Sequence, residues 1–203
     1  MNIQQIFKNK PAILLASGPS LDDNTIKIIE KYKDEYIIFG CNDTYTLCDF
    51  IDVFYACDGK WWKVHATSFF EKYKNLQHVY TQDADTATRY KINLVKGKHS
   101  NGISTNPQEI HWGSNSGFQQ LNLALLMGCS KFILVGYNMQ SVAGKTHFFT
   151  DRDSSLMRNS PYPTFQKAFK HIQKELKPYI VNCTPNSALS MFRQADLEEE
   201  LCT

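Results

Sequence analysis

Residues 12–16, Ala-Ile-Leu-Leu-Ala, break directly into Ser17-Gly18-Pro19-Ser20, and a helical pattern follows from about Asp22. An unbroken apolar run of this length fits a strand covered on both faces, as in a parallel sheet flanked by helices. The break then demands a tight turn. Gly18 lets backbone approach a ligand closely, Pro19 fixes a dihedral, and Ser20 can cap the helix. A helix start reached this way offers unpaired N–H groups and a positive dipole end, which suits a phosphate. A plain strand–turn–helix without ligand uses the same residues, and one Gly-Pro-Ser is far less specific than a Walker loop.

The alternation continues along the chain. Apolar, strand-like runs at 36–41, 52–57, 78–81, 131–137 and 179–182 are separated by helical patterns at 22–33, 61–73, 116–127 and 164–176. This order predicts an α/β fold, a Rossmann-like doubly wound and mainly parallel sheet, within one domain spanning 1–203. Residues 83–112 show no clear period and are interrupted by Gly97, Gly102 and Pro107. A stretch this long without pattern reads as an irregular insertion or a lid.

Ligands of open parallel sheets bind beyond the carboxyl ends of the strands. Those ends carry Ser17-Gly18-Pro19-Ser20, Asn42-Asp43, Asp58 and Tyr137-Asn138. Each cluster alone is an ordinary turn or cap. Together they predict one nucleotide-binding crevice. Ser114-Asn115-Ser116-Gly117, ahead of the strongest helix, adds a second anion site or a simple cap. Asp58, followed by Gly59-Lys60-Trp61-Trp62, could hold a divalent metal such as Mg²⁺ carried by nucleotide phosphates, or cap the next helix. Residues 144–153 mix His147 with both signs of charge, and His147 is the candidate general base. The other five histidines show no metal-ligand spacing. G-x-S-x-G, P-loop and G-x-G-x-x-G motifs do not occur, which argues against hydrolases, P-loop kinases and dehydrogenases.

Charge is nearly balanced, 22 Lys+Arg against 20 Asp+Glu, so no strong field points to nucleic acid. Glu198-Glu199-Glu200 reads as the solvated face of a last helix. Six cysteines form no C-x-x-C pair; Cys41, Cys57 and Cys183 end strand-like runs and read as reduced, buried thiols. No signal region or membrane-length apolar run occurs, so the expectation is a cytoplasmic protein. A homo-oligomer stays open.

Several of these segments resemble bacterial lipooligosaccharide sialyltransferases. Residues 16–21, Ala-Ser-Gly-Pro-Ser-Leu, look like their G-N-G-P-S-L opening, and Gly40-Cys41-Asn42-Asp43-Thr44-Tyr45 resembles their R-C-N-x-F-Y segment. Val53-Phe54-Tyr55, Phe69-Phe70-Glu71-Lys72-Tyr73, then Ser116-Gly117, Ala124, Gly128, Ile133-Leu134 and Gly136-Tyr137-Asn138 continue the likeness in the same order. The resemblance implies a CMP-sugar donor held by Ser17, Gly18, Ser20, Asn42, Ser116 and Gly117. Ser17 stands where that family has Asn, Asn138 where it has Asp, and Gln140 where it has a phosphate-binding Tyr.

The G-P-S-L loop is also similar to the pyrophosphokinase-like family that includes 6-hydroxymethyl-dihydropterin pyrophosphokinase, whose metal-binding carboxylates look like Asp58-Gly59. Asn182-Cys183-Thr184-Pro185, Ser187-Ala188-Leu189 and Leu197-Glu198-Glu199 resemble the tail of that wider group. Small phage proteins called morphogenetic resemble the chain along most of its length, including Cys57-Asp58, Trp61-Trp62 and Lys145-Thr146-His147, which implies a host-cytoplasmic setting. Three functions are thus expected in order. The first is a nucleotide-dependent transferase using a CMP-type nucleotide-sugar donor and a small-molecule or glycan acceptor. The second is an ATP- and Mg²⁺-dependent pyrophosphokinase, and the third a non-enzymatic phage assembly or nucleotide-binding protein.

Overall fold

A computed structural model describes residues 2–150, 153–156 and 160–202. In chain order the elements are β1 (Pro11–Leu15), α1 (Asp23–Glu30), β2 (Ile37–Cys41), β3 (Val53–Tyr55), α2 (Gly59–Lys72), β4 (His78–Thr81), α3 (Ala84–Tyr90) and β5 (Asn93–Leu94). There follow β6 (Lys96–Lys98), β7 (Glu109–His111), α4 (Ser116–Leu126), β8 (Lys131–Val135), α5 (Tyr162–Lys170), β9 (Ile180–Asn182), β10 (Arg193–Gln194) and α6 (Leu197–Leu201). Eight strands form one sheet in the order β10-β9-β8-β1-β2-β3-β4-β5, every neighbouring pair parallel. This is the expected doubly wound α/β fold, with its direction reversing between β1 and β8.

The pleat of β1 explains why its sequence is apolar throughout. Ala12 and Leu14 enter the core beneath α4 and α5, with Phe118, Leu121 and Phe169. Ile13 and Leu15 enter the opposite core, beneath α1, α2 and α6, with Ile29, Phe69 and Leu201. Both side-chain sets of one strand are buried, so neither face can be polar. On the second face the aromatic residues of α2 pack against β3, with the Phe54 and Phe69 ring centroids 4.2 Å apart.

Several boundaries differ from the sequence expectation, each for a local reason. Helix α1 is capped by Asp22, whose Oδ1 accepts the Thr25 N–H at 2.8 Å, rather than by Ser20. Helix α2 begins at Gly59, two residues earlier than the apolar pattern, so its first turn abuts the end of β3. Helix α5 covers Tyr162–Lys170 instead of 164–176, and Lys177–Tyr179 forms a separate 3-10 turn around Pro178.

Residues 83–112 hold α3, the edge strand β5 and the two-stranded sheet β6-β7, where the pattern had suggested no regular structure. Strands of two or three residues are too short to declare a period. None of these residues lines the cavity described below.

Glu200 is not on a solvated face. It is 5% exposed, 2.8 Å from Lys131 Nζ and 2.6 Å from Arg193 Nη2, and so ties α6 to β8 and β10. Burial pushes its carboxyl pKa up, but hydrogen bonds from Lys131 and Arg193 outweigh that, and the net shift is downward. All six cysteines are free thiols, with Cys41 and Cys183 buried and Cys57 half-buried. Among the described residues no helix is long and apolar enough to cross a membrane.

Candidate functional site

At the reversal point between β1 and β8 the carboxyl ends of the strands open onto a cavity of about 470 Å³. The loop after β1 forms one wall. Gly18 donates its N–H to Gly136 O at 2.9 Å, joining this loop to the turn after β8. A Cβ on Gly18 would collide with Gly136 O and Asn138 Oδ1, so the glycine serves backbone-to-backbone packing. The sequence reading had assigned it to ligand approach. The turn after β8 is equally tight, with Gly136 at φ +75° against Ala16 O.

Asn138, 1% exposed, brackets this wall. Its Oδ1 accepts the Ser20 hydroxyl at 2.8 Å and the Ser20 N–H at 3.2 Å, while its Nδ2 donates to Pro185 O at 2.8 Å. Ser17, Gly18, Pro19 and Asn138 therefore line the cavity, whereas Ser20 is turned to a neighbouring cleft.

The ends of β2 and β3 supply the second wall. Asn42 lines the cavity from a left-handed backbone position at φ +50° and opens the 3-10 helix Asn42–Thr46. Asp43 faces inward instead: it is buried, with Oδ1 3.5 Å from His65 Nε2. His65 in turn stacks on Trp61 at 4.7 Å and lies 3.1 Å from Tyr45 Oη. Asp58 is exposed at the N-cap of α2 and makes no capping hydrogen bond with its side chain. It is the one acidic side chain among the described residues lining the cavity. No group of three His, Cys, Asp or Glu side chains able to hold a metal occurs among the described residues.

The start of α4 closes the third side. Asn115 Oδ1 accepts the Phe118 N–H at 2.8 Å, while Ser116 and Gly117 line the cavity. Gly117 has room for no side chain because the Tyr137 ring lies against it. Tyr137 itself is fully buried and donates its hydroxyl to Gly117 O at 3.0 Å. Burial drives its phenol pKa well up, so it remains a neutral packing group outside the cavity wall.

His147 reaches the cavity on the segment after β8, pinned where the Phe148 N–H donates to Ser17 O at 3.3 Å. Its Nδ1 lies 3.0 Å from Thr146 Oγ1, and its ring stacks on Phe149 at 5.0 Å. Of the charged residues in 144–153, Asp151 and Arg152 lie outside the described residues.

The structure thus gathers Ser17, Gly18, Pro19, Asn42, Asp58, Ser116, Gly117, Asn138 and His147 around one space, and places Ser20, Asp43 and Tyr137 behind it. Lys60 and Trp61 in the first turn of α2, and Tyr162 and Phe165 in the first turn of α5, also line it, a role the sequence does not assign to them. The rule that strand ends carry function, extended by one helical turn, would have found Lys60 and Trp61. Nothing in the sequence reports that α5 returns to this edge.

Three helices, α2, α4 and α5, present their first turns to the cavity, so three positive dipole ends and Lys60 converge on it. Ser17 Oγ and Trp61 Nε1, both in lining residues, are buried without a hydrogen-bond partner among the described residues. Such orphans mark places that a polar ligand or water completes. The arrangement can hold an anion against an aromatic wall.

Fold and crevice together define a Rossmann-like α/β protein with a cavity at the topological switch point, where such sheets take their ligands. Residues 1–143 match the family described as 6-hydroxymethylpterin diphosphokinase MptE-like, and the chain belongs to that family. No curated protein matches it. Among solved structures it is similar to the MAf glycosyltransferase of Magnetospirillum magneticum AMB-1, at 14% identity and a TM-score of 0.63. That likeness covers 96% of this chain but only 35% of the other. It is also similar to the sialyltransferase CstII of Campylobacter jejuni, solved with cytidine-5'-monophosphate, at 15% identity and a TM-score of 0.56, over 94% of this chain and 86% of that one. At these identities the likeness is one of fold.

Proposed function

We propose that the protein is a nucleotide-dependent transferase, with the nucleotide of a CMP-type sugar donor seated in the cavity and a small-molecule or glycan acceptor entering beside His147. The observation that carries this reading is the convergence of three helix N-termini and Lys60 on a cavity with, among the described residues, a single acidic lining residue. The N–H groups and dipole ends stabilise the charge that grows on a departing nucleotide phosphate. The acceptor hydroxyl attacks the anomeric carbon of the sugar, and the bond to the phosphate oxygen breaks. His147 takes the hydroxyl proton. The ring nitrogen that takes it is set by the tautomer, since Nδ1 shares a hydrogen bond with Thr146 Oγ1.

Membership of the diphosphokinase family and the place of Asp58 on the cavity rim favour a second reading, pyrophosphoryl transfer from ATP. Mg²⁺ binds through one or two carboxylates plus substrate phosphates, a minimum that Asp58 alone meets only when the nucleotide brings the ion. Under this reading Asp58 holds the metal; under the first it is dispensable for binding.

A thermal-shift panel of CMP, CDP, UDP, GDP and ATP, with and without Mg²⁺, separates the two. A ligand at about a hundred times its Kd adds about 2.7 kcal/mol, or roughly 5–10 °C in a chain of this size. Stabilisation by CMP without metal, retained in Asp58→Asn, is the expected result. Stabilisation by ATP alone, dependent on Mg²⁺ and lost in Asp58→Asn, would replace it with the second reading. No shift with any nucleotide would refute both.

A further inference from the structure

A second cleft, of about 530 Å³, lies beside the cavity where β8 and β9 end and α1 and α6 begin. The two spaces share a partition: Ser20 lines the cleft, and Asn138, to which Ser20 is bonded, lines the cavity. Asn182, the last residue of β9, is 1% exposed and belongs to the cleft lining. Its Oδ1 accepts the Thr184 N–H at 3.1 Å, which fixes which end of the amide is oxygen. Its Nδ2 has no acceptor among the described residues. A buried amide N–H left this way calls for an oxygen from outside the chain.

The remaining lining narrows what that oxygen belongs to. No Lys, Arg or His is among the described residues around the cleft, and the helix starts that face it are already capped by the carboxylates of Asp22 and Asp196, so an anion gains little there. The one carboxylate, Asp196, is engaged at the start of α6 by the N–H groups of Glu198 and Glu199. The Ser20 and Thr25 hydroxyls donate to Asn138 and Asp22 and keep lone pairs to accept with. Ile28, Ala195 and Leu197 add an apolar wall.

A waiting donor, hydroxyl acceptors and an apolar wall without a cation suit a ring whose hydroxyls both donate and accept and whose C–H face is apolar. We propose that this cleft binds a neutral sugar through Asn182 Nδ2. The inference is independent of what the neighbouring cavity binds.

Saturation-transfer NMR on the full chain with N-acetylglucosamine as the probe tests it, with glucose 6-phosphate as the charged comparator. The wild type is expected to transfer saturation to N-acetylglucosamine, undiminished by excess CMP, and not to glucose 6-phosphate. Asn182→Asp keeps the acceptor for Thr184 but removes the donor, and should weaken binding by roughly two- to tenfold, the effect of one lost hydrogen bond. Ala195→Trp fills the cleft from the β10 side without deleting a polar group and should abolish the signal, which keeps the test decisive if Asn182→Asp does not fold. Absence of transfer to the wild type, transfer unchanged in folded variants, displacement by CMP, or equal binding of glucose 6-phosphate would each overturn the proposal.

Discussion

Gly18 illustrates how one atom decides between packing and ligand access. Any side chain there meets the Gly136 carbonyl and the Asn138 amide, both held by other bonds. Gly18→Val is therefore expected to destabilise the fold by about 1–3 kcal/mol through overpacking, and to lose nucleotide affinity with it. Urea unfolding beside CMP titration checks this, and a variant of unchanged stability would return Gly18 to a ligand-facing role. His147 is a different case, since it lines the cavity from an irregular segment and carries no part of the core. His147→Ala should lower turnover by roughly 10²–10⁴-fold with CMP affinity nearly unchanged. An equal loss of affinity would make it a binding residue.

Among the elements, the central strands were readable because burial on both faces leaves an unbroken apolar run, as in β1 and β8. The edges were not. Strands β5 and β10 contribute two residues each, and their partners rather than their sequence place them. Helix α6 was anticipated but its environment was not, because the cations that bury Glu200 lie on β8 and β10.

That contact carries a pH dependence. The Glu200 pKa is lowered in the fold, so its stabilisation is complete above the ordinary carboxylate range and is lost as pH falls through the lowered value. Glu200→Gln should cost about 1–2 kcal/mol at pH 7, discounted because Lys131 and Arg193 are partly exposed, and should flatten the acid limb of the stability curve. Unfolding curves from pH 7 to 3 on both proteins measure this; parallel acid limbs would show that Glu200 does not drive it.

At the scale of the whole molecule, the reversal of strand order between β1 and β8 makes a crevice, and the loops and helix starts there shape it into the cavity proposed to take the nucleotide. Strand-end clusters at residues 17–19, 42, 58 and 138 were legible because a parallel sheet sends all its carboxyl ends to one edge. Trp61 could have been reached by the same logic, but Tyr162 could not, because its position depends on how a long irregular connection folds back. Amide NMR during CMP titration tests the central claim most directly. The account predicts shifts concentrated at Ser17, Gly18, Asn42, Asn115, Ser116, Gly117 and His147. Shifts centred elsewhere, or none at millimolar CMP, would contradict it.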